Sequence, residues 1–227
     1  HWGNIVEGSL VVGTVSHHHM YGLLFRLLWP LASGRVLLNR ELEYLEQLAH
    51  ASLDQQEVSL ISSPSHLENF PVTLDWPSLN ISLKTVFSAG SPLDLKAARR
   101  VSNELDIHLV EIYGSTETGA LAYRNPLDQS CWQALCGVTI KDQEGRLLVR
   151  SPAVDRATWF LTDDLCTLVD SGRFKLNGRI DRILKVGGKR VSATVIERRL
   201  EEHPWVTEVK ISALPSRKFR IGALLKL

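Results

Sequence analysis

EIYGSTETGA, residues 111–120, is the stretch on which the reading of this chain turns. The run closing on Ile112 and Tyr113 has the β-branched and aromatic character of a strand end. It gives way at once to Gly114, the hydroxyl residues Ser115, Thr116 and Thr118, the single carboxylate Glu117, and Gly119. Such a segment offers little to a core. Gly114 would let a ligand approach the backbone closely, and Tyr113 offers a flat face to a base or aromatic ring. Ser115 and Thr116 offer hydroxyls to phosphate oxygens, and Glu117 offers a hard oxygen to Mg²⁺. The same residues also suit a tight strand-to-helix turn with Thr116 as its cap. Local chemistry leaves both readings open.

Working outward, the N-terminal half alternates two periods. SLVVGTV (9–15) is a continuous apolar run, expected of a strand buried on both faces. YGLLFRLLWPL (21–31) reads as an apolar helix and RVLL (35–38) as a short strand. ELEYLEQLAHA (41–51) reads as an amphipathic helix with Leu42, Leu45 and Leu48 towards one side. VSLIS (58–62) and LKTVFSAG (83–90) read as strands, LDLKAARRVSNEL (93–105) as a helix, and IHLVEIY (107–113) as a further strand. This alternation predicts an α/β fold, a parallel sheet with crossover helices.

Beyond about residue 120 the pattern becomes β-rich. VTIKDQEGRLLVRS and CTLVDSGRFKLNGR each place two strand-like runs around a Gly-containing turn, and DRILKVGGKRV reads as another hairpin. Thr194 and Glu197 have capping-box spacing ahead of the helix VIERRLEEH. Two apolar runs, 206–211 and 221–227, read as strands of a small α+β C-terminal domain that has only begun. Both ends of the chain are abrupt, and a fragment is the expectation. An exposed strand edge at such an end could pair with a second copy, so a homodimer is admitted.

The balance of 26 Lys+Arg against 25 Asp+Glu gives no electrostatic case for nucleic acid or an anionic membrane surface. The longest apolar stretch, 21–32, is broken by Arg26 and Pro30 and is too short to span a bilayer. Cys131, Cys136 and Cys166 lack metal-type pairing and read as reduced thiols of a cytoplasmic protein. In the run His17, His18 and His19, adjacent histidines do not share a strand face, and no second ligand cluster stands near them in sequence. No Gly-x-Gly-x-x-Gly follows a strand, which argues against a dinucleotide-dependent oxidoreductase.

In an open parallel sheet, ligands bind beyond the carboxyl ends of the strands. Both FSAGSPL (87–93) and IYGSTETG (112–119) lie there. Their order along the chain resembles the adenylate-forming (AMP-binding) superfamily, acyl-CoA synthetase-like members in particular. That family carries Tyr-Gly-x-Thr-Glu, matched by Tyr113, Gly114, Ser115, Thr116 and Glu117. Upstream, His-x-Tyr-Gly is matched by His19–Gly22 and Gly-x-Pro-Leu by Gly90, Ser91, Pro92 and Leu93. Downstream, Thr-Gly-Asp corresponds to Thr162, Asp163 and Asp164; Gly-Arg-x-Asp, then Lys and Gly-x-Arg, are matched by Gly178, Arg179, Asp181, Lys185, Gly188 and Arg190.

The resemblance implies an enzyme that activates a fatty or aromatic acid with ATP and Mg²⁺, forming an acyl-adenylate. The acyl group then passes to the thiol of CoA or to the phosphopantetheine of a carrier protein. It implies that Gly90, Ser91, Pro92, Glu111, Tyr113, Gly114, Ser115, Thr116, Asp164, Arg179 and Arg190 bind nucleotide. Tyr113 would stack on adenine, Thr116 and Glu117 would act at the phosphates with Glu117 on Mg²⁺, and Asp164 would accept from ribose. His19, Tyr21 and Gly114 would line the acid pocket, Asp181 would be a hinge, and Lys185 would serve the second half-reaction. It divides the chain into 1–178, the C-terminal part of a large adenylation domain with its β-rich subdomain at about 121–178, and 179–227, the hinge and start of a mobile domain.

Two positions depart from the pattern: Asp163 replaces its glycine, and Val195 replaces the first acid of a Glu-Ile-Glu. The phosphate loop and the adenylating lysine that the resemblance implies are not among these 227 residues. The chain alone is therefore expected to be inactive. A nucleotide-binding or interaction module of the same fold, without catalysis, is the alternative.

Overall fold

The computed structural model of the chain describes residues 9–50, 57–69, 82–105, 107–127, 130–154, 157–186, 189–214 and 221–227. They fall into two compact units, His1–Thr139 with Arg150–Thr158, and Ile140–Val149 with Trp159–Leu227.

The first unit is built on β1 (Leu10–Gly13), β2 (Glu57–Ser62), β3 (Ser82–Ala89) and β4 (His108–Ser115), neighbours in that order and parallel throughout. Two antiparallel strands, β5 (Gly119–Arg124) and β6 (Trp132–Ala134), extend it. The alternation of side chains along each strand divides the core into two faces. Val12, Leu60, Val86 and Leu109 go to one face, while Val11, Ile61, Phe87 and Val110 go to the other. The first face is covered by Leu42, Leu45 and Leu48, by Leu67, and by Ala97, Ala98 and Val101. The second is covered by Phe25, with Tyr21, Leu24 and Trp29 packed against it. The continuous apolar strands thus reflect a sheet buried on both sides, as their composition predicts.

The covering segments differ in detail from the sequence reading. The helix over 21–31 forms, but as α1 (Met20–Gly22), a π-helical stretch Leu23–Leu28 and α2 (Trp29–Ala32). RVLL does not become a strand. Val11 N–H donates to the Val36 carbonyl at 2.9 Å and Leu38 N–H to the Val11 carbonyl at 2.8 Å, leaving one bridge between Val11 and Leu37. The chain then turns so that Leu42 N–H reaches the Gly13 carbonyl at 2.9 Å. The amphipathic helix expected over 41–51 is a 3₁₀ helix over Leu45–His50. Leu42, Leu45 and Leu48 are buried as predicted. The spacing of Leu45 and Leu48 suits a helix with three residues per turn, in which such positions eclipse, and Leu42 precedes that helix.

α3 (Pro64–Glu68) follows β2, and α4 (Leu95–Leu105) joins β3 to β4. Asp94 opens α4, accepting from the N–H groups of Lys96 at 2.9 Å and Ala97 at 3.1 Å.

The second unit contains β7 (Thr139–Gln143), β8 (Arg146–Arg150), β9 (Phe160–Leu168) and β10 (Arg173–Arg179), side by side in the order β10-β9-β8-β7. The Gly-turn hairpins are those the sequence predicts. A 3₁₀ turn Ile180–Arg182 leads into the hairpin β11 (Ile183–Val186) and β12 (Lys189–Ser192). Next come α5 (Ala193–Glu201) and the antiparallel pair β13 (Glu208–Ala213) and β14 (Ile221–Lys226). The predicted Thr194–Glu197 capping box is replaced by Ser192, whose hydroxyl accepts from Val195 N–H at 3.3 Å. Glu197 has other partners: it pairs with Arg182 and accepts from Ile211 N–H at 2.7 Å, joining α5 to β13. Among the described residues no helix is long and apolar enough to cross a membrane.

Candidate active site

Strand β4 does not run into a helix, so the capped strand-to-helix turn is excluded. Gly114 and Ser115 remain in the strand, and the chain reverses through 116–118 into β5. The turn is closed by hydroxyls. Ser115 N–H donates to Thr118 Oγ1 at 3.2 Å, the two hydroxyls lie 3.1 Å apart, and Thr118 Oγ1 donates to the Gly119 carbonyl at 3.1 Å. Thr118 is buried in this role, while Thr116 and Glu117 are exposed at the tip. Gly114 is required because a Cβ there would sit 2.2 Å from the Gly119 carbonyl oxygen. Gly90, at the end of β3, has a φ of 102°, a conformation that L side chains rarely adopt.

These strand ends open onto a cavity of about 450 Å³. One part of its wall is polar and flexible in chemistry: Ser115, Thr116, Glu117 and the backbone at Gly90 and Gly114. The other is apolar: Tyr21, Leu24, Phe25, Ile112 and Ala120, with His19 and Met20 also on the lining. Behind it stands a packed aromatic group, with ring centroids 5.2 Å apart for Tyr21 and Phe25, 5.6 Å for Phe25 and Phe87, and 5.4 Å for Trp29 and Phe87. The Tyr21 hydroxyl is sealed from solvent. Burial pushes its pKa well above 10.0, partly opposed by the Ser62 backbone, so the phenol stays neutral.

The cavity thus gathers His19, Tyr21, Gly90, Gly114, Ser115, Thr116 and Glu117 from three separated segments. Sequence reasoning missed Leu24, Phe25, Ile112 and Ala120. The signal for Ile112 was its alternation with Tyr113 along one strand.

Tyr113 has the other parity and lies beside Trp132, their centroids 5.5 Å apart. Ser91 and Pro92 are exposed just past Gly90, and Leu93 is buried. Glu111 is buried beneath them, 2% exposed, with both oxygens engaged by protein groups.

In the second unit, Asp164 lies directly opposite Arg179 in the β9–β10 register, with Arg179 Nη1 3.6 Å from Asp164 Oδ1. The extra carboxylate at position 163 points outward, 54% exposed against 19% for Asp164, and accepts from Arg146 Nη2 at 2.9 Å. Arg146 also donates to the Thr162 carbonyl, and Thr162 Oγ1 donates to the Leu147 carbonyl at 2.8 Å. Asp181 falls in the 3₁₀ turn, and Lys185 and Arg190 are opposite one another in the β11–β12 hairpin. Gly188 lies outside the described residues.

Among the described residues there is no group of three or more His, Cys, Asp or Glu side chains able to hold a metal. A single exposed carboxylate beside hydroxyls is instead the donor set suited to Mg²⁺ arriving with phosphate oxygens.

Residues 2–154, more than half of the chain, match the AMP-binding enzyme family. The chain belongs to that family. It is 26% identical over 192 residues to 4-chlorobenzoate–CoA ligase from Arthrobacter sp., covering 70% of this chain and 37% of that protein. It is 26% identical over 250 residues to 2-succinylbenzoate–CoA ligase from Listeria monocytogenes, covering 96% of this chain and 53% of that protein. The fold is similar to that of ATP-bound MatB from Rhodopseudomonas palustris, with a TM-score of 0.77 at 20% identity over 99% of this chain and 51% of that one. The chain spans between about a third and about half of the length of these relatives.

Proposed function

We propose that the whole protein carrying this chain is an ATP-dependent acid–thiol ligase. It would join a carboxylic acid to AMP, release pyrophosphate, and pass the acyl group to CoA or to the phosphopantetheine of a carrier protein. The observation that carries this reading is the cavity at the ends of β3 and β4. It combines an apolar, aromatic wall fit for the body of an organic acid with a hydroxyl and carboxylate rim fit for phosphate and Mg²⁺. Two of the relatives named above, from Arthrobacter sp. and Listeria monocytogenes, are CoA ligases for aromatic acids, which supports the same reaction class here.

In this reading His19, Tyr21 and Gly114 shape the acid pocket. Thr116 contacts phosphate, and Glu117 holds Mg²⁺, which supplies charge neutralisation between two anionic reactants. Gly90, Ser91, Pro92 and Tyr113 hold adenine. Asp164, at the position of the acid in Thr-Gly-Asp, accepts from the ribose hydroxyls; Arg179 lies beside it and also 3.8 Å from Asp163, which pairs with Arg146. Asp181 is the hinge, Lys185 serves thioester formation, and Arg190 serves phosphate. Residues 1–178 belong to the large adenylation domain and 179–227 to the mobile one.

The test is acid-dependent exchange of pyrophosphate into ATP, over a panel of aliphatic and aromatic acids. Exchange with at least one acid, abolished by removing Mg²⁺, is expected. Nucleotide binding without exchange for any acid would favour a catalytically silent module.

A further inference from the structure

Glu111 is an unusual residue for the centre of a buried sheet. Burying a carboxylate is costly unless it is paired and hydrogen-bonded, and this one is both. Glu111 Oε1 accepts from the backbone N–H of Leu93 at 2.7 Å. Glu111 Oε2 accepts from Arg124 Nε at 2.6 Å, across the strand pair in which the two residues are direct partners. Arg124 in turn lays its guanidinium over the Trp132 ring, 4.4 Å from the centroid, and Trp132 packs against Tyr113. One carboxylate thus ties two segments together. The first is the Gly90–Leu93 loop, pinned through the Leu93 amide. The second is the Tyr113 ring, held two residues along β4 on the same face by the Arg124–Trp132 stack.

We propose that Glu111 is a positioning residue that sets the width of the adenine slot between the Gly90–Pro92 backbone and the Tyr113 ring, without itself touching the base. This rests on the reading in which Tyr113 and the Gly90–Pro92 segment hold adenine. Both carboxylate oxygens already have protein partners, so Glu111 acts through Leu93 and Arg124. Ile112, on the opposite face of the same strand, lines the acid pocket, whereas Glu111, Arg124 and Trp132 are not on its lining.

The experiment uses the whole protein and reads steady-state KM for ATP, KM for the acid, AMP affinity by calorimetry, and melting temperature. Glu111→Gln keeps an acceptor for the Leu93 amide but loses the charge that holds Arg124. Arg124→Lys keeps the charge but loses the planar stack on Trp132, and it stands in if Glu111→Gln does not fold. Each is expected to weaken AMP and raise KM for ATP by about tenfold, the usual cost of a hydrogen bond to a charged group, with KM for the acid within about twofold. Glu111→Gln combined with Tyr113→Ala is expected to lose little more than Tyr113→Ala alone, because coupled residues are non-additive. Equal rises in the two KM values, or fully additive losses in the double variant, would overturn the proposal. If Tyr113→Ala alone leaves AMP affinity intact, the adenine assignment itself fails, and the positioning role falls with it.

Discussion

The β9–β10 turn and the β4–β5 turn each place a carboxylate beside a hydroxyl residue and a glycine, and the two carboxylates are placed differently. In the first, Asp170 closes the turn itself. It accepts from Gly172 N–H at 3.0 Å, Arg173 N–H at 2.9 Å and Arg173 Nε at 2.7 Å. The Gly172 amide, then Arg173, hold its carboxyl below 3.8. In the second, Ser115 and Thr118 close the turn, and Glu117 stands at the cavity rim. The chain therefore separates two uses of similar turn chemistry. Where the acid does the folding, its oxygens are spent locally. Where hydroxyls close the turn, the acid stands on a cavity wall.

The sharpest way to break this contrast is Glu117→Gln in the whole protein. If Glu117 holds Mg²⁺, pyrophosphate exchange should fall about 10²–10³-fold, the size of effect seen on losing one preorganised electrostatic group. Melting temperature should barely move, because the turn is closed by other residues. Near-normal exchange would remove the assignment.

The turn's own architecture is probed by Gly114→Ala. The new Cβ would sit 2.2 Å from the Gly119 carbonyl oxygen and 2.9 Å from Ala120 Cα, both on backbone that cannot swing aside. Overpacking of this kind costs about 1–3 kcal/mol. The expected outcome is a lower melting temperature together with loss of exchange, since β4 and β5 must separate where the cavity begins. An Ala variant that melts and turns over like the parent would show that the close approach at Gly114 is not required.

A third carboxylate, Glu197, extends the contrast to a buried position. Burial works against its charge, but the hydrogen bonds from Arg182 and from Ile211 N–H outweigh it and hold the pKa below 4.5. A carboxyl depressed in this way is bound charged by the folded state. The stability it contributes is complete above its unfolded value and is lost as pH falls through the lower folded value. Glu197→Gln should cost about 1–3 kcal/mol near neutral pH. It should also flatten the loss of stability below about pH 4.5, the ordinary value of the group. Parallel acid-unfolding curves for parent and variant would contradict this.

These residues also mark what was legible in the sequence. The four parallel strands were, because strands buried on both faces must be continuously apolar. So were the later hairpins, because their turns need Gly and Asp or Gln-Glu. The cavity rim was legible at Gly90 and Gly114–Glu117, the residues that carry the family resemblance. Its apolar wall was legible only at Tyr21, since Leu24, Phe25 and Ile112 are indistinguishable from core residues until the fold leaves them facing a space. Arg35–Leu38 failed as a strand because only two of its groups meet Val11 before the chain turns away. Glu197 was misread as a cap because its partners, Arg182 and Ile211, are distant in sequence. The Glu111–Arg124 pair was invisible for the same reason: cross-strand partners are set by register, which one sequence does not print.

The smallest expected effect closes the comparison. Asp170→Ala removes a carboxylate that, in sequence, looks as suited to a ligand as Glu117. All of its visible bonds lie within its own turn and on an exposed surface, where ion pairs are screened by water and salt. Val169 N–H still donates to the Arg173 carbonyl at 2.8 Å, so the hairpin keeps a backbone closure without it. Exchange activity should stay within about twofold of the parent, as for loss of an exposed ion pair. Any change in melting temperature should be largest at low salt. Set beside Glu117→Gln, the pair of variants is a direct test of the distinction: one turn acid should matter to catalysis and hardly to folding, the other weakly to folding and not to catalysis. If Asp170→Ala depressed exchange as Glu117→Gln does, a place on the cavity wall would no longer separate a working acid from a structural one in this protein.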